Sequence, residues 1–112
     1  MTIAVDFDGT IVEHQYPRIG KPIEGAIPAL LKFQEAGHRL ILWTYRNGST
    51  LEDAVNYCED NGINLYAVNA SSPGEVITES NSRLIKADVF IDDRNVGGLL
   101  PWAEVESHIL GS

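Results

Sequence analysis

Cysteine, basic residues and long apolar runs are all scarce in this sequence. A single cysteine, Cys58, in 112 residues excludes an internal disulfide framework and any multi-cysteine zinc site. Lysine and arginine number 8 against 16 acidic residues, for a formal net charge of −8. Non-specific attachment to nucleic acid or to an anionic membrane needs a basic surface, so neither is expected. Nucleic acid as a specific substrate is disfavoured by the same charge without being excluded. No apolar run approaches the ~18 residues that a membrane-spanning helix requires. The first acid, Asp6, comes after five residues, and the start shows no signal-peptide pattern. With the lone cysteine, that points to a cytoplasmic protein.

The rest of the composition suits a folded domain. Hydrophobic residues make up 44% and charged residues 21%, enough for a buried core and too apolar for wholesale disorder. The length is that of one domain, so residues 1–112 are read as a single unit. Short apolar runs at residues 2–5, 39–44, 65–68 and 87–91 have the β-branched and aromatic content of strands. Several are nearly continuous rather than alternating, as in strands covered on both faces of a parallel sheet.

Helical patterns lie between them. Residues 25–36 place Ile27, Leu30, Leu31 and Phe33 roughly on one face, with Pro28 in the first turn and Gly37 as the stop. A capping box is expected at Ser49-Thr50-Leu51-Glu52, with Ser49 as N-cap. Leu51, Ala54, Val55 and Cys58 follow at helical spacing, and Gly62 ends the segment. A third helix is expected over about residues 101–110. Residues 70–82 read as a loop. Residues 95–98 are too short and glycine-rich to assign to a last strand. Strands alternating with helices predict an α/β fold around a mainly parallel sheet.

In such sheets ligands bind beyond the carboxyl ends of the strands. Those ends carry Asp6-Phe7-Asp8-Gly9-Thr10, then Thr44-Tyr45-Arg46, then Asp92-Asp93, with Lys86 shortly before the last strand. Four carboxylates converging on one crevice repel each other. A divalent cation relieves that conflict, and hard oxygen ligands favour Mg²⁺. Carboxylates with Mg²⁺, a hydroxyl and a lysine form a set suited to a phosphoryl group. Each residue also has a plainer reading. An acid at a strand end can serve as a turn or cap, Asp92-Asp93-Arg94 can be a turn held by a local ion pair, and a lysine before a strand is usually solvated.

The motifs Asp6-Phe7-Asp8-Gly9-Thr10-Ile11-Val12, Thr44 after Leu40-Ile41-Leu42-Trp43, Lys86, and Asp92-Asp93 after Val89-Phe90-Ile91 occur in the order found in the haloacid dehalogenase superfamily. The chain resembles that superfamily over nearly its whole length. The resemblance implies a three-layer sandwich with a Rossmann-like sheet and an aspartyl-phosphate phosphatase activity. Asp6 is then the nucleophile and Asp8 the general acid and base. Thr44 and Lys86 hold the phosphoryl oxygens, with Arg83 as the rival to Lys86. Mg²⁺ is held by Asp6, Asp92 and Asp93, the last directly or through water, with the Asp8 carbonyl as a further ligand. Arg46 is a candidate substrate contact beside Thr44, and a surface ion pair is the alternative.

The resemblance also implies a flap over residues 10–20. Only about a dozen residues separate Thr10 from Ile23, too few for the cap domain of larger members. The site is therefore expected to be open unless a second subunit covers it, and a homo-oligomer is compatible with the sequence. The partner implied is a phosphorylated substrate of unspecified identity. Two other classes stay in view. A phospho-accepting receiver domain also gathers acids, Thr and Lys at sheet ends, but there the paired acids end the first strand. A catalytically idle binding module would not need the full residue set. A metal-free dehalogenase lacks the second acid of the first motif, so Asp8 argues against that chemistry.

Overall fold

The computed structural model describes residues 1–70, 87–94 and 97–111. Along the chain run β1 (Thr2–Val5), α1 (Ala26–Glu35), β2 (Arg39–Leu42), α2 (Gly48–Asp60), β3 (Leu65–Val68), β4 (Val89–Ile91) and α3 (Trp102–Leu110). The four strands form one all-parallel sheet in the order β3-β2-β1-β4. All four strands expected from the apolar runs are present, and the α/β class is observed.

The continuous apolar runs reflect burial on both faces. Successive side chains of a strand point to opposite sides. Ile3 and Val5 of β1, with Leu40 and Leu42 of β2, join the main core, whereas Ala4, Ile41 and Ala67 form a second buried cluster on the other face. Among the described residues, all three helices bury side chains in the main core. Among the described residues no helix packs on the second cluster, so two layers are observed there. No helix of the described residues is long and apolar enough to cross a membrane.

Helix α1 buries Ala26, Ala29, Leu30 and Phe33, the i, i+3, i+4, i+7 stripe of an amphipathic helix. Its centre differs from the expected one. Two alanines let the helix approach the sheet closely, and Ile27 and Leu31 pack at the margin. The helix ends in a Schellman motif, with His38 N–H on Phe33 O and Gly37 N–H on Gln34 O, both at 3.0 Å. The end of α2 repeats this. Ile63 N–H bonds Cys58 O and Gly62 N–H bonds Glu59 O, again at 3.0 Å, and Gly62 supplies the positive φ of 82°.

The start of α2 corrects the sequence reading. No capping box forms. Asn47 is the N-cap, the helix begins at Gly48, and no side chain caps it. Leu51 N–H already bonds Asn47 O at 3.2 Å, so Ser49 lies inside the first turn and cannot cap it. Cys58 is buried in the core as expected, and burial pushes its thiol up to about 12, which removes it as a nucleophile.

The strand order places the chemistry. The chain runs β1, β2, β3 to one side of β1 and then returns to its other side with β4. The order therefore reverses at β1, and a crevice opens at its carboxyl end. Val5 pairs in register with both Leu42 and Ile91. Two further bonds, Asp6 N–H to Ile91 O at 3.0 Å and Trp43 N–H to Val5 O at 2.9 Å, carry the three strand ends side by side into the loops beyond.

Candidate active site

The loop after β1 is built around Phe7. Its ring is buried and meets Tyr57 edge-on, with centroids 5.9 Å apart. Anchoring Phe7 leaves Asp6 and Asp8, its neighbours, bordering the cleft. A single helical turn follows, in which the N–H groups of Thr10, Ile11 and Val12 converge on Phe7 O at 3.2, 3.0 and 3.3 Å. Gly9 occupies this turn at φ 83°, and a Cβ there would collide with the Asp93 carboxylate. Gly9→Ala is therefore expected to lower stability by about 1–2 kcal/mol from backbone strain alone, with displacement of Asp93 added to that. Thermal unfolding of the variant measures the loss, and an unchanged melting temperature would show that the turn relaxes freely.

Residues 11–13 then pair with 21–23 as a short ribbon. Ile23 N–H bonds Ile11 O at 2.9 Å and Glu13 N–H bonds Lys21 O at 2.8 Å. Ile11 and Val12, which lie within the segment expected as a flap, are core residues. Tyr16 is 57% exposed on the intervening loop and borders the cleft with His14.

Asp6 is only 7% exposed, and carboxylate oxygens of Asp6, Asp92 and Asp93 all lie within 4.8 Å of one another. Burial, opposed in part by the Phe7 backbone bond and reinforced by the charges of Asp92 and Asp93, pushes Asp6 up to about 7. For Asp92, burial is outweighed by the backbone N–H and guanidinium of Arg94, which hold it below the ordinary carboxylate range. Three carboxyl groups brought this close are the donor chemistry of a hard divalent cation, which would offset their repulsion and favour the ionised form of Asp6. The Asp8 carboxylate is not part of this cluster, so only its carbonyl is left for the metal role implied by the resemblance.

Thr10 braces the cluster. Its buried hydroxyl accepts a bond from Asp93 N–H at 3.2 Å and lies 3.5 Å from Asp6 Oδ2. Its carbonyl accepts the indole N–H of Trp102 at 3.0 Å, which pins α3 beneath the site. Thr44 is held from two sides. Its N–H donates to Asn69 Oδ1 at 2.7 Å, and its Oγ1 accepts Arg46 N–H at 3.1 Å. With that oxygen already accepting from the backbone, the Thr44 hydroxyl keeps its own proton to donate, and Thr44 lines the cleft.

Of the two readings of Arg46, substrate contact and ion pair, the ion pair is observed, and it is buried rather than on the surface. Nε–H and Nη2–H donate to Asp8 Oδ2 and Oδ1 at 2.7 and 2.8 Å. The remaining N–H groups donate to Pro17 O, Arg18 O and Thr50 O at 3.2, 2.9 and 3.2 Å. All five guanidinium donors are thus used, and the residue is 3% exposed. Nothing in this side chain is left to bind a ligand directly. Among the described residues, Arg94 is a solvent-exposed cation bordering the cleft. It pairs with Asp92 at 3.2 Å, and its Cζ lies 4.6 Å over the ring of Tyr45, which is 80% exposed.

The cleft has a volume of about 340 Å³ and brings Asp6, Asp8, Thr44, Arg46 and Asp93 together, with Asp92 joined through the acid cluster. Lys86 and Arg83 lie outside the described residues. The sequence reading gave no role to Thr10, and it took Arg94 only as the cation of a local ion pair with the paired acids, which forms. Thr10 ends the first motif, and Arg94 directly follows the paired acids, so their positions were the available signals.

No protein-family model and no curated protein matches the chain. Among solved structures, a conserved protein from Bacteroides thetaiotaomicron superposes with a TM-score of 0.90 at 48% sequence identity, over 99% of this chain and 90% of that one. Identity of that degree over almost the full length means that this chain and the conserved Bacteroides thetaiotaomicron protein belong to one family.

Proposed function

We propose that this protein is a Mg²⁺-dependent phosphohydrolase of the haloacid dehalogenase type, with a capless three-layer fold and an aspartyl-phosphate on Asp6. The observation that carries the reading is the separation of two acids two residues apart. Asp6 is buried against Asp92 and Asp93, while Asp8 is held apart by a guanidinium at the mouth of the same cleft. A nucleophile and an acid–base group need different surroundings; Asp6 would be ionised for attack by a bound cation, and Asp8, paired with Arg46, has to take up a proton before it serves as the acid.

The reaction follows from those positions. An Asp6 oxygen attacks the phosphorus of a phosphate monoester and the P–O bond to the leaving group breaks. Asp8, having first taken up a proton from solvent, gives it to that oxygen, so an alcohol departs. Asp8 then takes a proton from water, whose oxygen attacks the phosphorus and breaks the bond to Asp6. Inorganic phosphate and the free carboxylate result. The Thr44 hydroxyl donates to a phosphoryl oxygen throughout, and Lys86 is assigned there by resemblance alone. Mg²⁺ bound by Asp6, Asp92, Asp93 and the Asp8 carbonyl supplies charge neutralisation for the phosphoryl group. A cytoplasmic setting fits the single buried thiol.

Chelation tests this reading. The protein is expected to hydrolyse p-nitrophenyl phosphate with Mg²⁺, to stop when a chelator is added, and to recover with excess Mg²⁺. Asp92→Ala is expected to raise the Mg²⁺ needed for half-maximal rate by about tenfold or more, since it removes one of few charged oxygens. Full activity in the chelated enzyme would overturn the proposal. A screen of sugar phosphates, nucleotides, phosphopeptides and nucleic acid ends then identifies the substrate.

A further inference from the structure

We infer that Arg46 is a positioning residue that ties the substrate-side loop, residues 13–21, to Asp8, so that loop and acid hold or lose their geometry together. The inference rests on the reading of Asp8 as acid and base. The observation behind it is the set of partners one side chain takes. The two-pronged bond to Asp8 fixes both the position and the plane of that carboxylate. The bonds to Pro17 O and Arg18 O hold the loop, and the bond to Thr50 O ties both to the first turn of α2.

Besides Arg46, the loop is held by Ile19, which packs against the main core, and by few backbone bonds. Its ends are pinned by the ribbon. Within it, among the described residues, Arg18 N–H to Gln15 O at 2.9 Å is the backbone–backbone bond. The guanidinium also lies between two rings, with Cζ 5.1 Å from the Phe7 centroid and 5.2 Å from that of Tyr16. Phe7 belongs to the acid motif and Tyr16 to the cleft wall. A ligand pressing on Tyr16 therefore presses on the group that orients Asp8. Lysine cannot reproduce this, because an ammonium has three donors and no planar fork.

An arginine that merely stapled the fold would have the same contacts, so the test must separate the two. The first measurement is amide hydrogen exchange at Glu13 and Arg18 in the wild type, Arg46→Lys, Asp8→Asn and the double variant. Each single change is expected to speed exchange by about tenfold, the loss of one charge-assisted contact. The double variant is expected to be no faster than the faster single one, because both break the same link. Multiplying effects, or an Asp8→Asn loop that exchanges like wild type, would overturn the coupling. Asp8→Asn keeps the arginine, so it decides the matter even if Arg46→Lys does not fold.

The second measurement is the rate of the first turnover, by rapid mixing, on two substrates. Arg46→Lys is expected to slow leaving-group release from an alkyl phosphate by about 10²-fold, and from p-nitrophenyl phosphate only a few fold, because a displaced acid matters most for a poor leaving group. Equal loss on both would mark a structural staple and overturn the positioning role. If the wild type hydrolyses neither substrate, the phosphatase reading fails, and the exchange cycle still decides whether Arg46 couples loop and acid.

Discussion

Asp6→Asn is expected to abolish turnover, by at least about 10⁴-fold, and at the same time to stabilise the cation-free protein at alkaline pH. The loss follows from chemistry, since an amide does not form the acyl-phosphate. The gain follows from the surroundings of Asp6. Burial and two neighbouring acids put its folded-state value at about 7, against 3.8 for the unreacted side chain in water. The folded protein therefore binds this proton more tightly than the unfolded chain does. Stability contributed by the protonated form is full below about pH 4 and is lost as pH rises through 7. The full penalty is on the order of 4 kcal/mol and belongs to the cluster rather than to Asp6 alone. Thermal melts in chelator at pH 5 and pH 8 should show the wild type falling more steeply than Asp6→Asn. Excess Mg²⁺ should remove most of the difference at pH 8. Parallel pH slopes for the two proteins would mean that the acid cluster carries no such strain.

Asp8→Asn is expected to divide the reaction in two. The substitution keeps the backbone, so the carbonyl and the nucleophile Asp6 stay in place. It removes the proton donor for the leaving group and the base for water. An aryl phosphate such as p-nitrophenyl phosphate hardly needs the donor, so transfer to Asp6 slows only modestly. Hydrolysis of the phosphoenzyme still needs the base, and its loss costs about 10²–10⁴-fold. Rapid mixing should then show a burst of p-nitrophenol followed by a slow steady state. Intact mass should show one added phosphoryl group. An alkyl phosphate should give neither, because its leaving group depends on the acid. Wild-type turnover of both substrates would remove Asp8 from the mechanism. A folded, Mg²⁺-binding variant with no burst would mean that Asp8 serves the first step in another way.

Much of the site was legible in the chain because its signals are local. An acid directly after an apolar run lies at a strand end, and two acids around Phe7 share one cleft as soon as Phe7 is buried. The glycine stops of α1 and α2 were legible for the same reason, since a positive φ at the end of a helix is a property of a few neighbouring residues. The start of α2 misled because Ser49 and Glu52 have the spacing of a capping box. The backbone had already begun to wind at Gly48.

The partner each charged group takes was a different matter. Arg46 follows Thr44 at a strand end, and its sequence context is the same whether it faces a ligand or a carboxylate. Asp8 lies 38 positions away, and the carbonyls of Pro17 and Arg18 leave no trace in residue type. Thr10 is likewise ordinary in the sequence. Its hydroxyl matters because Asp93, 83 positions on, returns to it. The sequence by itself determined the alternation of strands and helices, the acids at the strand ends and the scarcity of positive charge, all properties of neighbouring residues and of composition. Only the tertiary structure decided that Asp8 leaves the other three acids and joins Arg46, because that contact depends on the strand order reversing at β1, which brings distant segments to one end of the sheet.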